Sequence, residues 1–269
     1  CLEAQLNSIS YLIEQIRGSE RVKQLQSLYA RLPILISALA SSGDNIGHLT
    51  HLITAVSDAI SQRVIRMGIE QVGPPCKFAF ISMGSEGRSE QTLKTDQDNA
   101  IIYEDGVADV EGYFLSLAQY INDNLHTIGY NNCKGGIMAR NPKWCKPLRD
   151  WKDYFTRWVN DQDPENILNS QIFFDLRFIY GQEDMVNELR AHFTRQAREN
   201  SLFLYHMANA TTRYRPEIEH NIIDLKKIML PIISYLRIKA LHKGIGETNS
   251  MRRLDRLYEQ GVVDKEVRV

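Results

Sequence analysis

Helical periodicity runs from Leu2 to Met67 and then stops at Gly73-Pro74-Pro75, and this break constrains the fold more than any other feature of the chain. Before it, Leu2, Leu6, Ile9, Ile13 and Ile16 recur at steps of four and three, one apolar stripe ending at Gly18. Val22, Leu25, Leu28 and Leu32 continue in a second helix. After "SSGDN" (41–45), where Asp44 is placed to cap the next helix, Leu49, Ile53, Val56, Ile60, Val64 and Met67 form a third stripe. A glycine and two prolines forbid further helix. Beyond them the pattern changes: Phe78 to Met83 is a short apolar run suited to a buried strand, and "NAIIY" (99–103) reads as a second, closed by the turn "EDG". Long amphipathic helices that give way to a few short strands predict an α+β, helix-rich fold with a small α/β core.

Downstream, residues 109–127 read as a helix, and "YNNCKGGIMAR" (130–140) as a third strand leading into the loop "NPKWCKP". From about residue 147 the pattern returns to helix, in "LRDWKDYFTRWV", "ILNSQIFFDLRFIYG" and a run through Met207. "NIIDLKKIMLPIISYLRIKALHKG" is a long helix bent at Pro231 and ending at Gly244; "SMRRLDRLYEQG" is capped by Asn249 or Ser250 and stopped by Gly261. The expected organisation is a helical lead-in over 1–72, an α/β core over 73–146 and a helical domain over 147–269.

Composition narrows the function classes. A net charge of −1 supplies no global basic field, which argues against a dedicated nucleic-acid binder. No apolar run approaches the roughly 20 residues that cross a bilayer. Cys76, Cys133 and Cys145, with Cys1, show neither C-x-x-C pairing nor a zinc-ligand rhythm, so they read as reduced thiols of a cytoplasmic protein. Cys1 stands where a start Met would, and the expectation is a segment of a longer polypeptide.

The chemistry concentrates in "FISMGSEGRSEQTLKTDQDNAIIY" (80–103). Asp96 and Asp98, one residue apart on an extended chain, project to the same face. Two such carboxylates repel, and a hard divalent cation, magnesium or manganese, resolves the conflict when it is shared with substrate phosphates. Gly84-Ser85 follows the first strand. There glycine permits close backbone approach, "SEGRSEQTL" can start a short helix, and amides at a helix start suit an anion. Arg88 and Lys94 add positive charge for phosphate oxygens. No G-K-[ST] follows at Walker A spacing, so this is a different phosphate loop. Taken singly, D-x-D and a Gly-Ser turn are weak signals; their order and spacing, each against a predicted strand, carry the reading.

On these residues the chain resembles a bacterial nucleotidyltransferase family, one usually found after cyclic-nucleotide-binding and CBS domains. That family is related to the uridylyltransferases and adenylyltransferases that modify nitrogen-signalling proteins and glutamine synthetase. "GPPCKFAFISMGSEGR" resembles its lead-in to the motif, and "CKGGIMARNPKW", "FFDLRFIYG" and "IIDLKKIMLPIISYLRIKAL" resemble its downstream blocks, the last in its substrate-binding domain. The resemblance implies a small mixed sheet flanked by helices, a nucleoside triphosphate (ATP among the options) held at Gly84 and Ser85, and a metal held by Asp96 and Asp98. It also implies upstream regulatory domains, a role in signal transduction and an acceptor hydroxyl, such as one on a regulatory protein. One part does not carry over: the superfamily's third carboxylate, on the strand after D-x-D, has no counterpart in "NNCKGGIMAR", which offers Lys134 and Arg140. Either the base comes from elsewhere, or the substrate supplies it, or catalysis is impaired and the chain is a nucleotide-sensing module. Glu90, Asp175 and Asp224 complete the candidate set, the last two as polar intrusions in apolar helices that pair equally well with neighbours such as Arg177 or Lys226.

Other features have plainer readings. His48 and His51 lie a turn apart with no third ligand, and His220 with Asp224 is a mixed helix face. Trp151, Tyr154, Phe155 and Trp158 fall at helical spacing, as core packing does. "RRLDRL" (252–257) reads as an exposed helix face.

Overall fold

The computed structural model describes residues 2–70, 72–161, 163–213 and 225–264. In chain order the first elements are α1 (Leu2–Arg17), α2 (Val22–Tyr29), α3 (Leu32–Ser41), α4 (Ile46–Ile69), β1 (Phe78–Ser82), α5 (Gly84–Gly87), β2 (Asp96–Gln97) and β3 (Asn99–Tyr103). Then come α6 (Glu111–Ile128), β4 (Asn131–Asn132), β5 (Cys145–Pro147), α7 (Leu148–Asn160), α8 (Pro164–Phe173) and β6 (Arg177–Gly181). The chain closes with α9 (Glu183–Glu199), α10 (Ser201–Arg213), α11 (Leu225–His242) and α12 (Ser250–Glu259). The fold is the α+β, helix-rich class expected, and it divides into two compact units.

The first unit comprises the residues up to Leu148 together with Arg177–Val186. Its sheet is mixed, in the order β5-β3-β1-β6: β1 pairs antiparallel with both β3 and β6, and β3 pairs parallel with β5. Every residue of β1 and β3 is buried, which explains why both read as unbroken apolar runs rather than alternating ones. The apolar stripes of α1, α3, α4 and α6 form one core with this sheet, through residues such as Leu12, Leu39, Ile60 and Phe114, with α1 and α3 packed on α4. α4 opens on Asn45, whose side chain accepts from the Gly47 amide; Asp44, the expected cap, instead accepts from the Asn45 amide and binds His48.

Two expected elements fall out differently. Residues 130–140 form only the two-residue β4, parallel to β2, because the chain turns immediately: the Gly136 amide donates to the Cys133 carbonyl at 3.1 Å. The strand that extends the sheet beyond β3 is β5, within the expected loop. "RFIYG", expected to be helical, is β6. Gly181, at φ +97°, ends β6 so close to β1 that a Cβ there would sit 2.1 Å from the Phe78 carbonyl oxygen, which no other residue tolerates.

The second unit comprises Arg149–Leu176 and the residues from Asn187 onward. Trp151, Phe155 and Trp158 pack with Phe173 and Phe193 as core, as their helical spacing predicts. α8 is capped by Asp163, which accepts from the Asn166 amide. α12 is capped by Asn249. "RRLDRL" is not a wholly exposed face: Arg253 is fully buried, and its guanidinium donates to Asp175 at 2.8 Å. Arg237 of α11 donates to the same carboxylate at 2.6 Å, so two guanidinium groups neutralise one buried acid. α11 contains Pro231, where the bend was expected. Among the described residues, no helix is long and apolar enough to cross a membrane.

Candidate active site

The site grows from the junction of β1 and β3. The two strands are in register from Phe78↔Tyr103 to Ser82↔Asn99, and just past that last pair the Met83 amide donates to the Asp98 carbonyl at 2.9 Å. This bond fixes the Gly-Ser turn against the D-x-D segment. Alternation then sorts the side chains of "DQDN". Gln97 and Asn99 point inward, 2% exposed each, while Asp96 and Asp98 are half-buried. Beneath them lies Asn122 of α6, fully buried, whose amide donates to Gln97 and to Asn99 at 2.9 Å each. Its own oxygen accepts from the Arg140 amide at 3.0 Å, and Asn99 also accepts from the Ala139 amide. A satisfied polar network thus holds the backbone that presents the two acids.

Gly84 has φ +60°, and a Cβ at that position would lie 2.5 Å from Oδ2 of Asp98. No side chain fits where the turn meets this carboxylate. α5 is a single turn: the Gly87 amide donates to the Met83 carbonyl and the Arg88 amide to the Gly84 carbonyl, and Ser89 at φ +57° ends it. The expected helix over "SEGRSEQTL" therefore stops after one turn. The amides of Gly84, Ser85 and Glu86 open that turn and have no intrahelical acceptor. Arg177 of β6 buttresses it, donating to the Glu86 carbonyl at 3.0 and 3.2 Å and bidentately to Asp58 of α4 at 2.7 and 2.8 Å.

Two residues outside the predicted set belong to this locality. The parallel register Asp96↔Asn131 and Gln97↔Asn132, carried one step further, brings Cys133 beside Asp98. Ligand atoms of Asp96, Asp98 and Cys133 all lie within 4.8 Å of one another. Burial, then the charge of Asp98 and a hydrogen bond to it, push the Cys133 thiol up to about 11, so it stays a donor to that carboxylate. Glu86 is 8% exposed, and burial first, then Asp58, push its carboxyl up to about 8, with Arg177 opposing and Asp98 and Asp96 adding to the rise. Cys133 is detectable only once the parallel pairing is known. Glu86 likewise emerges only from the structure, where the single turn of α5 buries it near Asp58 and Arg177.

Other predicted residues have partners of their own or lie exposed. Arg88 is buried and donates to Glu90 at 2.8 Å. Lys94 and Lys134 are exposed. Arg140 is engaged by Asp123 at 3.1 Å. Asp175 is neutralised within the second unit by Arg237 and Arg253 rather than by Arg177, and Asp224 and His220 lie outside the described residues.

The donor set fits a hard divalent cation in part. Two carboxylates are oxygen donors of the kind magnesium or manganese takes together with substrate phosphates, whereas a thiol suits softer metals. The Gly84 cradle leaves the Asp98 carboxylate uncovered by any side chain at residue 84. This arrangement can hold a cation against a polyphosphate laid along the turn.

A family model described as "Putative nucleotidyltransferase DUF294" matches residues 30–165, and one described as "Putative nucleotidyltransferase substrate binding domain" matches residues 187–268. A search of curated proteins found no match. The first match spans α3 to the start of α8 and contains the turn, the D-x-D pair and Cys133, and the second lies wholly in the second unit. The chain belongs to the DUF294 nucleotidyltransferase family.

Proposed function

We propose that the chain transfers a nucleoside monophosphate from a magnesium-bound nucleoside triphosphate to an acceptor hydroxyl, with release of pyrophosphate. The observation that carries this is the contact of Gly84 with Asp98, which puts a side-chain-free turn directly against the D-x-D carboxylates. In the reaction the hydroxyl oxygen bonds to the α-phosphorus, the bond from that phosphorus to its bridging oxygen breaks, and pyrophosphate leaves with the electron pair. The hydroxyl proton passes to the acceptor's surroundings or to water.

Asp96 and Asp98 would hold the cation, which when bound offsets the charge gathering on the departing oxygens. Gly84 and Ser85 orient the polyphosphate through backbone amides, and Asn122 and Arg177 keep turn and carboxylates in register. The adenylyl- or uridylyltransferase type and a hydroxyl on a regulatory protein are the finer parts of this reading. They are supported by the resemblance of "GSEGRSEQTLKTDQDNAIIY" to a family related to enzymes of that kind.

A second reading has its own observation. Where a third carboxylate would activate the hydroxyl, the chain presents Cys133, whose thiol is held protonated. That favours a module that binds the magnesium nucleotide and transfers nothing. Pyrophosphate release separates the two. An enzyme releases it from triphosphate and acceptor, and Asp98→Asn stops the release while leaving the fold intact. A sensor binds the nucleotide and releases none with any acceptor.

A further inference from the structure

The second unit carries a pocket that the D-x-D site does not use. One wall is a single face of α9, where Arg190, Thr194, Arg195 and Arg198 recur at helical spacing, and the other wall is backbone at Gly244 and Gly246. The cavity is about 550 Å³, within the range that takes a small metabolite. Three guanidinium groups line it against one carboxylate, Glu199.

The arginines of this unit divide by use. Arg237 and Arg253 are spent on Asp175, and Arg256 on Glu259. Among the described residues, no ion pair joins Arg195 or Arg198 to a carboxylate. Arg190 is held in place, donating from Nη2 to the Leu176 carbonyl at 2.7 Å. The glycines keep the opposite wall open: a Cβ at Gly244 would sit 3.4 Å from Nη1 of Arg198, and one at Gly246 would sit 3.5 Å from Cδ of Arg190. Thr194 adds a buried hydroxyl with no hydrogen-bond partner among the described residues. The nearby His192 feels the field: burial first, then the charge of Arg195, lowers its pKa.

A row of arginines on an exposed helix face is ordinarily just solvated. Here the row faces a side-chain-free wall across a cavity and shares it with an unsatisfied hydroxyl. We propose that this pocket binds a phosphate-bearing small molecule, with Arg190, Arg195 and Arg198 on the phosphate oxygens and Thr194 as a further donor. Guanidinium forks match phosphate geometry, and three of them suit a ligand with at least two negative charges. Its lining shares no residue with the D-x-D site and calls for no divalent cation.

Calorimetric titration with inorganic pyrophosphate, in EDTA and at low ionic strength, tests it. The whole chain should bind saturably, and Asp98→Asn should bind equally well, which separates this site from the D-x-D pair. The double variant Arg195→Ala/Arg198→Ala should lose about tenfold in affinity for each guanidinium removed. Gly246→Asp, at a position with no positive φ and ordinary contact distance, should keep its circular dichroism spectrum and lose binding because it places a carboxylate on the wall. No saturable binding by the parent chain, or unchanged affinity in either folded variant, overturns the proposal.

Discussion

Gly84 meets two constraints that act together. Its φ of +60° lies where a side chain is strained, and the space a Cβ would need is taken by Oδ2 of Asp98. Gly84→Ala should therefore displace the carboxylate or the turn. The expected result is loss of magnesium-dependent nucleotide binding in a chain whose melting temperature falls by only a few degrees, for a cost of about 1–3 kcal/mol; unchanged nucleotide affinity would contradict it. Glu86 makes a different prediction, about pH. Its carboxyl is raised from 4.5 to about 8 in the folded chain, so over that window the native state keeps a proton that the unfolded chain has released. Its contribution to stability is full below the unfolded value of 4.5 and is lost as pH rises through about 8. In EDTA, Glu86→Gln should flatten this part of the stability curve, read as melting temperature against pH, and a slope equal to the parent's would contradict the assignment.

The elements show why part of the structure was legible in the sequence and part was not. α1, α4, β1 and β3 follow from local pattern, because their apolar residues repeat with the period of the element they form, or fill a strand buried on both faces. The proximity of turn and acids was legible for the same reason, since β1 and β3 are antiparallel neighbours whose ends meet. β6 was not: "RFIYG" follows the helical "ILNSQIFF" after only Asp175 and Leu176, and only its pairing with the distant β1 makes it a strand. Cys133 was hidden likewise, since two residues of parallel pairing leave almost no periodic signal. α6 supplies what neither pattern reveals, a buried amide under the D-x-D segment. Asn122→Leu removes one partner each from the side chains of Gln97 and Asn99 and the side-chain acceptor of the Arg140 amide. It should cost about 1–3 kcal/mol in urea unfolding and weaken nucleotide binding, although Asn122 does not itself form part of the D-x-D pair. Retention of both would show that the network does not position the acids.

For the molecule as a whole, the unit that holds the sheet is assembled from two stretches of chain, with Arg177–Val186 returning after Arg149–Leu176 has entered the other unit. A fragment ending at Leu148 lacks β6, and with it the partner on one edge of β1 and the Arg177 contacts to Asp58 and Glu86. Such a fragment exposes an apolar strand edge and should self-associate rather than unfold cooperatively, as light scattering during a thermal scan would show. A monomeric, cooperative fragment would mean that β6 is dispensable. The central claim, that Asp96 and Asp98 hold a divalent cation against a polyphosphate seated on Gly84-Ser85, is tested most directly by manganese binding. Electron paramagnetic resonance should show Mn2+ taken up together with a nonhydrolysable nucleoside triphosphate by the parent chain, with uptake lost in Asp96→Asn/Asp98→Asn while the circular dichroism spectrum is unchanged. Equal uptake of Mn2+ and nucleotide by the folded double variant would contradict it.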